Sequence, residues 1–285
     1  MLRSRPKKGR KVIGGSGKAS WGLREGDELV PGRTVLAALG GGARFEVFLV
    51  ADEAMMATAV AKVLRPDRVA RGRARDALRR EAEHLQSLAH PTIVRMFDAV
   101  LEGPRPHLLL EHLEGPTLRR LIRRYGPLPM EQAVPLAIDI ASALHYLHGH
   151  GLVHLDVKPA NVLMSARPIL IDLSVARPAS EAMKLDRVVG STGYVAPEVQ
   201  QMQGVGPAAD VWSFGAALWE ATTGHPPPDR GSRDMPQVLI DTLMACLEPQ
   251  PDRRPAMREV AGRLEPLLGA LPRAPVLRHG RPRLA

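Results

Sequence analysis

Between Met130 and His150 the apolar residues Ala137, Ile140, Ala141, Leu144 and Leu147 recur at three- and four-residue steps, the spacing that keeps one stripe of an α-helix apolar. Pro135 lies near the start of this run, where a missing N–H is tolerated best. A second amphipathic helix is predicted over Asp76 to Leu88, with Leu78, Leu85 and Leu88 on one side. The pattern from Val35 to Val50 is different. Two apolar runs flank Gly40-Gly41-Gly42-Ala43-Arg44, which predicts two strands joined by a Gly-rich hairpin. Upstream, Gly26 to Gly32 suits a lead-in turn and a first strand, so folding is expected to begin near Trp21. Further helices are predicted near Gln237 to Cys246 and over Ala256 to Leu268.

The chemistry concentrates where the long helix ends. His154-Leu155-Asp156-Val157-Lys158-Pro159-Ala160-Asn161 is followed by Ile169-Leu170-Ile171-Asp172. Transfer of a phosphoryl group asks a protein mainly for positioning and charge neutralisation. A carboxylate must orient the hydroxyl, a cation must stand near the moving phosphate, and oxygen ligands must hold Mg²⁺. Asp156 would accept the hydroxyl proton, Lys158 would face the phosphate, and Asn161 with Asp172 would hold the metal. An ordinary polar turn between two strands would have to align four such groups by accident.

These residues resemble the eukaryotic-like bacterial Ser/Thr protein kinase family, whose signature here is H-R-D-x-K-x-x-N followed by D-F-G. The resemblance implies an α+β fold with two lobes, a small β-rich lobe with one helix (about 28–112) and a larger, mainly α-helical lobe (about 113–269). It also implies ATP and Mg²⁺ as cofactors, with protein Ser/Thr hydroxyls as acceptors. Gly40, Gly42 and Val47 fall on the family's Gly-rich loop. Ala59-Val60-Ala61-Lys62 resembles its V-A-I-K strand, so Ala61 and Lys62 are expected at the nucleotide, with Lys62 on the phosphates. Glu81 is taken as the Lys62 partner, with Glu83 as the alternative; the two lie about 200° apart round a helix, so both cannot face the site. By resemblance alone, His107 to Glu111 is a strand, Leu110 lies behind the adenine, and Glu111 to Leu113 form the hinge. A short helix follows Gly115-Pro116-Thr117-Leu118. The segment from Asp172 to Glu198 becomes the activation and substrate loop, with Lys158 and Ser191 favouring Ser/Thr acceptors. Glu198 should pair with Arg254, and Asp210 should cap the central helix of the large lobe and tie it to the loop at His154.

Composition adds bounds. The chain has 285 residues and 45% apolar content, enough for one large core or two lobes. Its formal charge of +9 belongs to the ends: residues 1–18 carry seven Lys or Arg and no acid, residues 270–285 carry four Arg and no acid, and the body is left at about −2. Basic tails rich in Arg, Pro and Gly are expected to be solvated, without specific nucleic-acid recognition. The single Cys246 excludes an intramolecular disulfide and fits a reducing compartment. No apolar run approaches the roughly 18 residues of a membrane span, so a cytoplasmic protein is expected. Gly14-Gly15-Ser16-Gly17-Lys18-Ala19 is not a phosphate-binding loop, because Ala19 offers no hydroxyl and no strand precedes it. The histidines 145, 148, 150 and 154 lack the Cys or carboxylate that would complete a zinc set. His154 is read as a packed loop anchor.

Four departures from the resemblance carry expectations of their own. Phe45 stands in place of the third loop glycine. Leu155 stands where regulated members have the Arg that clamps a phosphorylated loop, so activity should not require that phosphorylation. Ser174 replaces the glycine after Asp172-Leu173. The stretch between Gly224 and Gln237 is short where the family places a docking helix.

Overall fold

The structure is a computed structural model that describes residues 19–227 and 235–270. The expectations for the two basic tails, for Gly14 to Lys18, and for most of the connection between Gly224 and Gln237 lie outside the described residues. Six strands, β1 (Glu28–Val30), β2 (Arg33–Gly41), β3 (Phe45–Asp52), β4 (Ala57–Leu64), β5 (Met96–Val100) and β6 (His107–Glu111), form one antiparallel sheet in the order β1-β2-β3-β4-β6-β5. A single turn, α1 (Pro66–Val69), precedes α2 (Gly72–Ser87).

Side chains alternate across each strand, so the two sheet faces build separate cores. One face gathers Leu29, Val35, Phe48, Val50, Ala59, Ala61, Val63 and Leu109, with Trp21 and Leu23 packed on it. The other carries Phe45, Leu64, Leu108 and Leu110 against Leu78, Ala82 and Leu85 of α2. That second core continues without a break into the large lobe.

α2 begins one turn earlier than its periodicity predicts. No side chain caps it; Arg75 instead reaches back to the Val69 carbonyl at 2.8 Å and to Glu102 at 3.0 Å. At its other end Leu88 leaves the helix in an extended conformation yet still packs on the core.

The large lobe contains α3 (Leu118–Tyr125), α4 (Met130–Gly149), β7 (Leu152–Val153), β8 (Val162–Met164), β9 (Pro168–Leu170), β10 (Arg177–Pro178), α5 (Ala179–Ala182), α6 (Pro197–Gln201), α7 (Pro207–Thr223), α8 (Gln237–Cys246) and α9 (Met257–Ala270). α4 packs on α9 and α7, and β7 and β8 pair with β10 and β9 in short ladders. α7 is buried all round, as expected for a helix at the centre of a lobe.

The expectation that Asp210 caps α7 needs correction. The helix starts at Pro207, whose lack of an N–H suits the first helical position, so Asp210 lies inside the first turn. Its carboxylate is instead committed to the loop that follows β7.

Glu198 and Arg254 form the expected buried pair, with Nη1 to Oε1 at 2.7 Å and Nη2 to Oε2 at 2.8 Å. Arg254 also donates to the carbonyls of Glu248, Ala208 and Pro249, so the guanidinium is well satisfied. Replacing Glu198 with Ala would leave that cation buried and unpaired. The expected loss is about 3–5 kcal/mol in urea unfolding; a loss below about 1 kcal/mol would contradict this account of the pair.

Candidate active site

β4 sends Lys62 into the cleft between the lobes because Val60, Lys62 and Leu64 share one face of the strand. α2 supplies Glu81, and the chain leaving β9 supplies Asp172. Lys62 Nζ donates to both Glu81 oxygens, at 2.7 and 2.8 Å, and to Asp172 Oδ1 at 2.7 Å. The Leu173 N–H donates to Glu81 Oε1 at 3.1 Å, which fixes the turn after Asp172 to α2. Glu83 is exposed, as its angular position on the helix requires. Lys62 and Glu81 are almost sealed from water. Burial alone would lower the Lys62 pKa, but the Glu81 and Asp172 carboxylates outweigh it and hold the ammonium charged. Burial pushes the Glu81 carboxyl up against the pull of Lys62. Burial works in the same direction on Asp172, yet Lys62 and Ser174 hold its carboxyl well below the usual carboxylate range.

The loop after β7 rests on Asp210. Its carboxylate accepts the His154 and Leu155 N–H groups at 2.8 Å each, and His148 Nε2 lies 2.9 Å from it. This support holds Leu155 at φ 65, a left-handed conformation unusual for a non-glycine residue. The chain thereby reverses and presents Asp156. His154 is fully buried; its Nδ1 accepts the Asp156 N–H at 3.2 Å, and burial pushes its pKa down, so the ring anchors the loop as a neutral group.

Asp156 is the centre of a second cluster. Lys158 Nζ lies 2.5 Å from Asp156 Oδ2 and 2.6 Å from Ser191 Oγ, and Ser191 Oγ donates to Asp156 Oδ1 at 2.8 Å. Asn161 Nδ2 donates to the Asp156 carbonyl at 2.9 Å and to Oδ2 at 3.1 Å. Asn161 uses only its amide hydrogens here, which leaves its carbonyl oxygen as an acceptor. A Cβ on Gly190 would stand 2.7 Å from the Leu155 carbonyl oxygen, and its φ is +106°. Only glycine lets the segment bearing Ser191 approach so closely.

The remaining predicted positions spread around the cleft. Leu110 is buried on β6 opposite Val60. Glu111 uses its N–H on the Arg95 carbonyl at 2.9 Å, and Leu113 packs half-buried on the core. Val47 pairs with Lys62 across the ladder. Ala61 is a correction: it is fully buried in the cluster on the opposite sheet face, beside Phe48 and Leu109. Val60, not Ala61, shares the Lys62 face, and strand alternation counted back from Lys62 is the signal that identifies it.

In the Gly-rich hairpin the steric demand falls on Gly41, where a Cβ would stand 2.4 Å from the Phe45 carbonyl oxygen, while Gly40 and Gly42 face open space. Phe45 folds inward, 7% exposed, and its ring centre lies 4.6 Å from Lys62 Nζ. Nothing in local sequence reveals this contact.

Two lobes meet at a buried Lys–Glu–Asp cluster, beside a loop that presents Asp, Lys and Asn. Residues 33–264 match the protein kinase domain family, and the chain belongs to it. Its relatives include the serine/threonine-protein kinase PknB of Mycobacterium leprae, 35% identical over 203 residues that make up 66% of this chain and 32% of that protein. PknB of Mycolicibacterium smegmatis is 31% identical over 251 residues, 76% of this chain and 39% of that protein. PkaA of Streptomyces coelicolor is 36% identical over 205 residues, 64% and 38% respectively. The chain thus spans about a third of the length of the curated relatives it matches. Among the described residues no helix is long and apolar enough to cross a membrane.

The lowered Asp172 pKa sets a pH signature. The stability this carboxylate contributes is present above its unfolded value, about 3.9, and is lost as pH falls through the lower folded value. The stability gap between the wild type and Asp172→Asn, read by urea unfolding, should be constant from about pH 7 to 5 and narrow below about pH 4. A gap that widens on acidification would contradict the assignment.

Proposed function

We propose that this chain transfers the γ-phosphoryl group of ATP to Ser or Thr hydroxyls of protein substrates, with Mg²⁺ as cofactor. The observation that carries the reading is the Asp156 cluster: a carboxylate that already accepts a hydrogen bond from an alcohol, Ser191 Oγ, with an ammonium within 2.6 Å of that alcohol. Asp156 would orient the acceptor hydroxyl and take its proton as the new O–P bond forms and the bond to the leaving ADP breaks. Lys158 would offset charge on the moving group, and Lys62, fixed by Glu81, would bind the nearer phosphates.

Asn161 and Asp172 would hold Mg²⁺. Both offer hard oxygen donors, and two protein ligands suit a site that substrate phosphates complete. When bound, the ion supplies charge neutralisation and orientation of the phosphates. Val60, Leu110 and the hinge from Glu111 to Leu113 would receive the adenine, with Gly40, Gly42 and Val47 above it. The requirement for ATP and the buried, unbridged Cys246 support a cytoplasmic site of action.

The activation segment is held without a phosphate clamp. Leu155 is buried among Ala182, Leu185, Val189, Ala196, Val199, Val205 and Ala209, so apolar contact fills the place of the family's Arg–phosphate pairing. Turnover therefore does not depend on phosphorylation of the segment. Phe45 favours a second reading, a nucleotide-binding scaffold without transfer, because a phosphate approaching Lys62 must displace the ring from the ammonium.

Labelled ATP with Mg²⁺ and a Ser/Thr peptide library separates the two. Transfer that Asp156→Asn abolishes is expected; nucleotide binding without transfer would favour the scaffold. Ser180→Ala with Thr192→Ala, both exposed, should leave turnover within about threefold, since no clamp reads them. Leu155→Arg should restore no control and cost about 3–5 kcal/mol, as expected for an uncompensated buried cation. Loss of activity in the double alanine variant, or a stable and more active Leu155→Arg protein, would contradict the gating account.

A further inference from the structure

The kinase reading leaves unused a cluster of four arginines on α3, in the sequence Leu118-Arg119-Arg120-Leu121-Ile122-Arg123-Arg124-Tyr125. Leu118 and Ile122 are buried in the large lobe, which turns the arginines outward. Together with Thr117 they line a recess of about 350 Å³. None of the four is within ion-pair distance of a carboxylate among the described residues. Glu220, reached from Arg119 through the Tyr194 hydroxyl, is a single carboxylate against four guanidinium groups, so the recess carries a local positive excess although the body of the chain is near −2.

The recess is tied to the site at which an acceptor would bind. α3 packs on the Pro159–Asn161 turn of the catalytic loop and on β8. Arg119 Nη2 donates to the Tyr194 hydroxyl at 2.9 Å, and its guanidinium lies 5.7 Å from the centre of that ring. The Tyr194 hydroxyl in turn donates to Glu220, so this tyrosine is clamped from two helices. Three residues before Tyr194, Ser191 touches Asp156. Arg119 Nε is buried and has no partner among the described residues. Arg124 is stacked on Tyr125, with the guanidinium 5.4 Å from the ring centre.

We propose that this recess binds acidic side chains of the polypeptide that presents the acceptor hydroxyl, and so makes the chain selective for Ser/Thr flanked by Asp or Glu. The proposal rests on the kinase reading of the same site. Guanidinium forks match carboxylates in a bidentate way. α3 has eight residues and is about 12 Å long, the span of roughly three or four residues of an extended peptide. A local patch of that size on a body that is otherwise slightly acidic fits a peptide better than a nucleic acid, which asks for a longer basic track. Residues 1–18 and 270–285 do not fit the recess, since they contain no Asp or Glu.

The test uses the full chain and Ser peptides on one scaffold, flanked by Asp/Glu, by Ala or by Lys, with the variant Arg120→Glu/Arg123→Glu/Arg124→Glu. These three arginines are exposed, so the variant should fold with an unchanged thermal midpoint; Arg119 is kept because it holds Tyr194. For the wild type, kcat/KM should be about tenfold higher on the acidic than on the Ala-flanked peptide, with the preference fading as salt is raised. The variant should lose or invert that preference while its rate on the Ala-flanked peptide stays the same. Equal rates on all three peptides, or an acidic preference that survives in the variant, overturns the proposal. Binding of the labelled acidic peptide, read by fluorescence anisotropy, is measured in parallel. Absence of transfer to any peptide would count against the kinase reading, whereas Arg-dependent binding in the same sample would still support the recess, and lack of binding would end it. Tighter, Arg-dependent binding of single-stranded RNA than of the acidic peptide would also overturn it.

Discussion

One ammonium group between two carboxylates from different parts of the chain sets the geometry of the cleft. Lys62 comes from the sheet, Glu81 from the helix packed on it, and Asp172 from the large lobe, and each is within 2.8 Å of the same nitrogen. A buried cation left with one partner would be costly, so the three segments are held together by the penalty of separating them. Leu173 extends this tie by donating its N–H to Glu81, which makes the turn after Asp172 part of the same unit.

A second fixed point, Asp210, does for the loop from His154 to Asn161 what Lys62 does for the lobes. Its two oxygens take consecutive backbone N–H groups and hold Leu155 in a conformation it would not adopt alone. Once that bend is fixed, Asp156, Lys158 and Asn161 converge through short-range geometry. The segment carrying Ser191 is brought against them by the close approach at Gly190 and by apolar packing around Leu155. The site therefore combines rigid electrostatic anchors with a hydrophobic seat for the segment that carries Ser191.

The parts legible in the sequence are those with a short period or a short spacing. That Glu81 and Glu83 cannot both face Lys62 follows from helical angle, and Asp156, Lys158 and Asn161 lie within six residues of one another. The same reasoning, applied to the strand, gives Val60 as the neighbour of Lys62; the resemblance pointed to Ala61, and strand alternation decides against it. Asp is a good capping residue, which drew the start of α7 to Asp210, but Pro207 marks the first turn more strongly. α2 has no capping side chain and so no readable start. The inward fold of Phe45 depends on how the hairpin bends, and the Arg119–Tyr194–Glu220 chain joins residues far apart in sequence. Neither leaves a local trace.

The most direct test of the central claim is a double-mutant cycle between Lys62→Met and Asp172→Asn, read as unfolding free energy at neutral pH. A single buried cation shared across the cleft predicts a coupling of about 1–3 kcal/mol between the two substitutions. Additive effects, with coupling within about 0.3 kcal/mol of zero, would contradict the claim that this interaction joins the lobes.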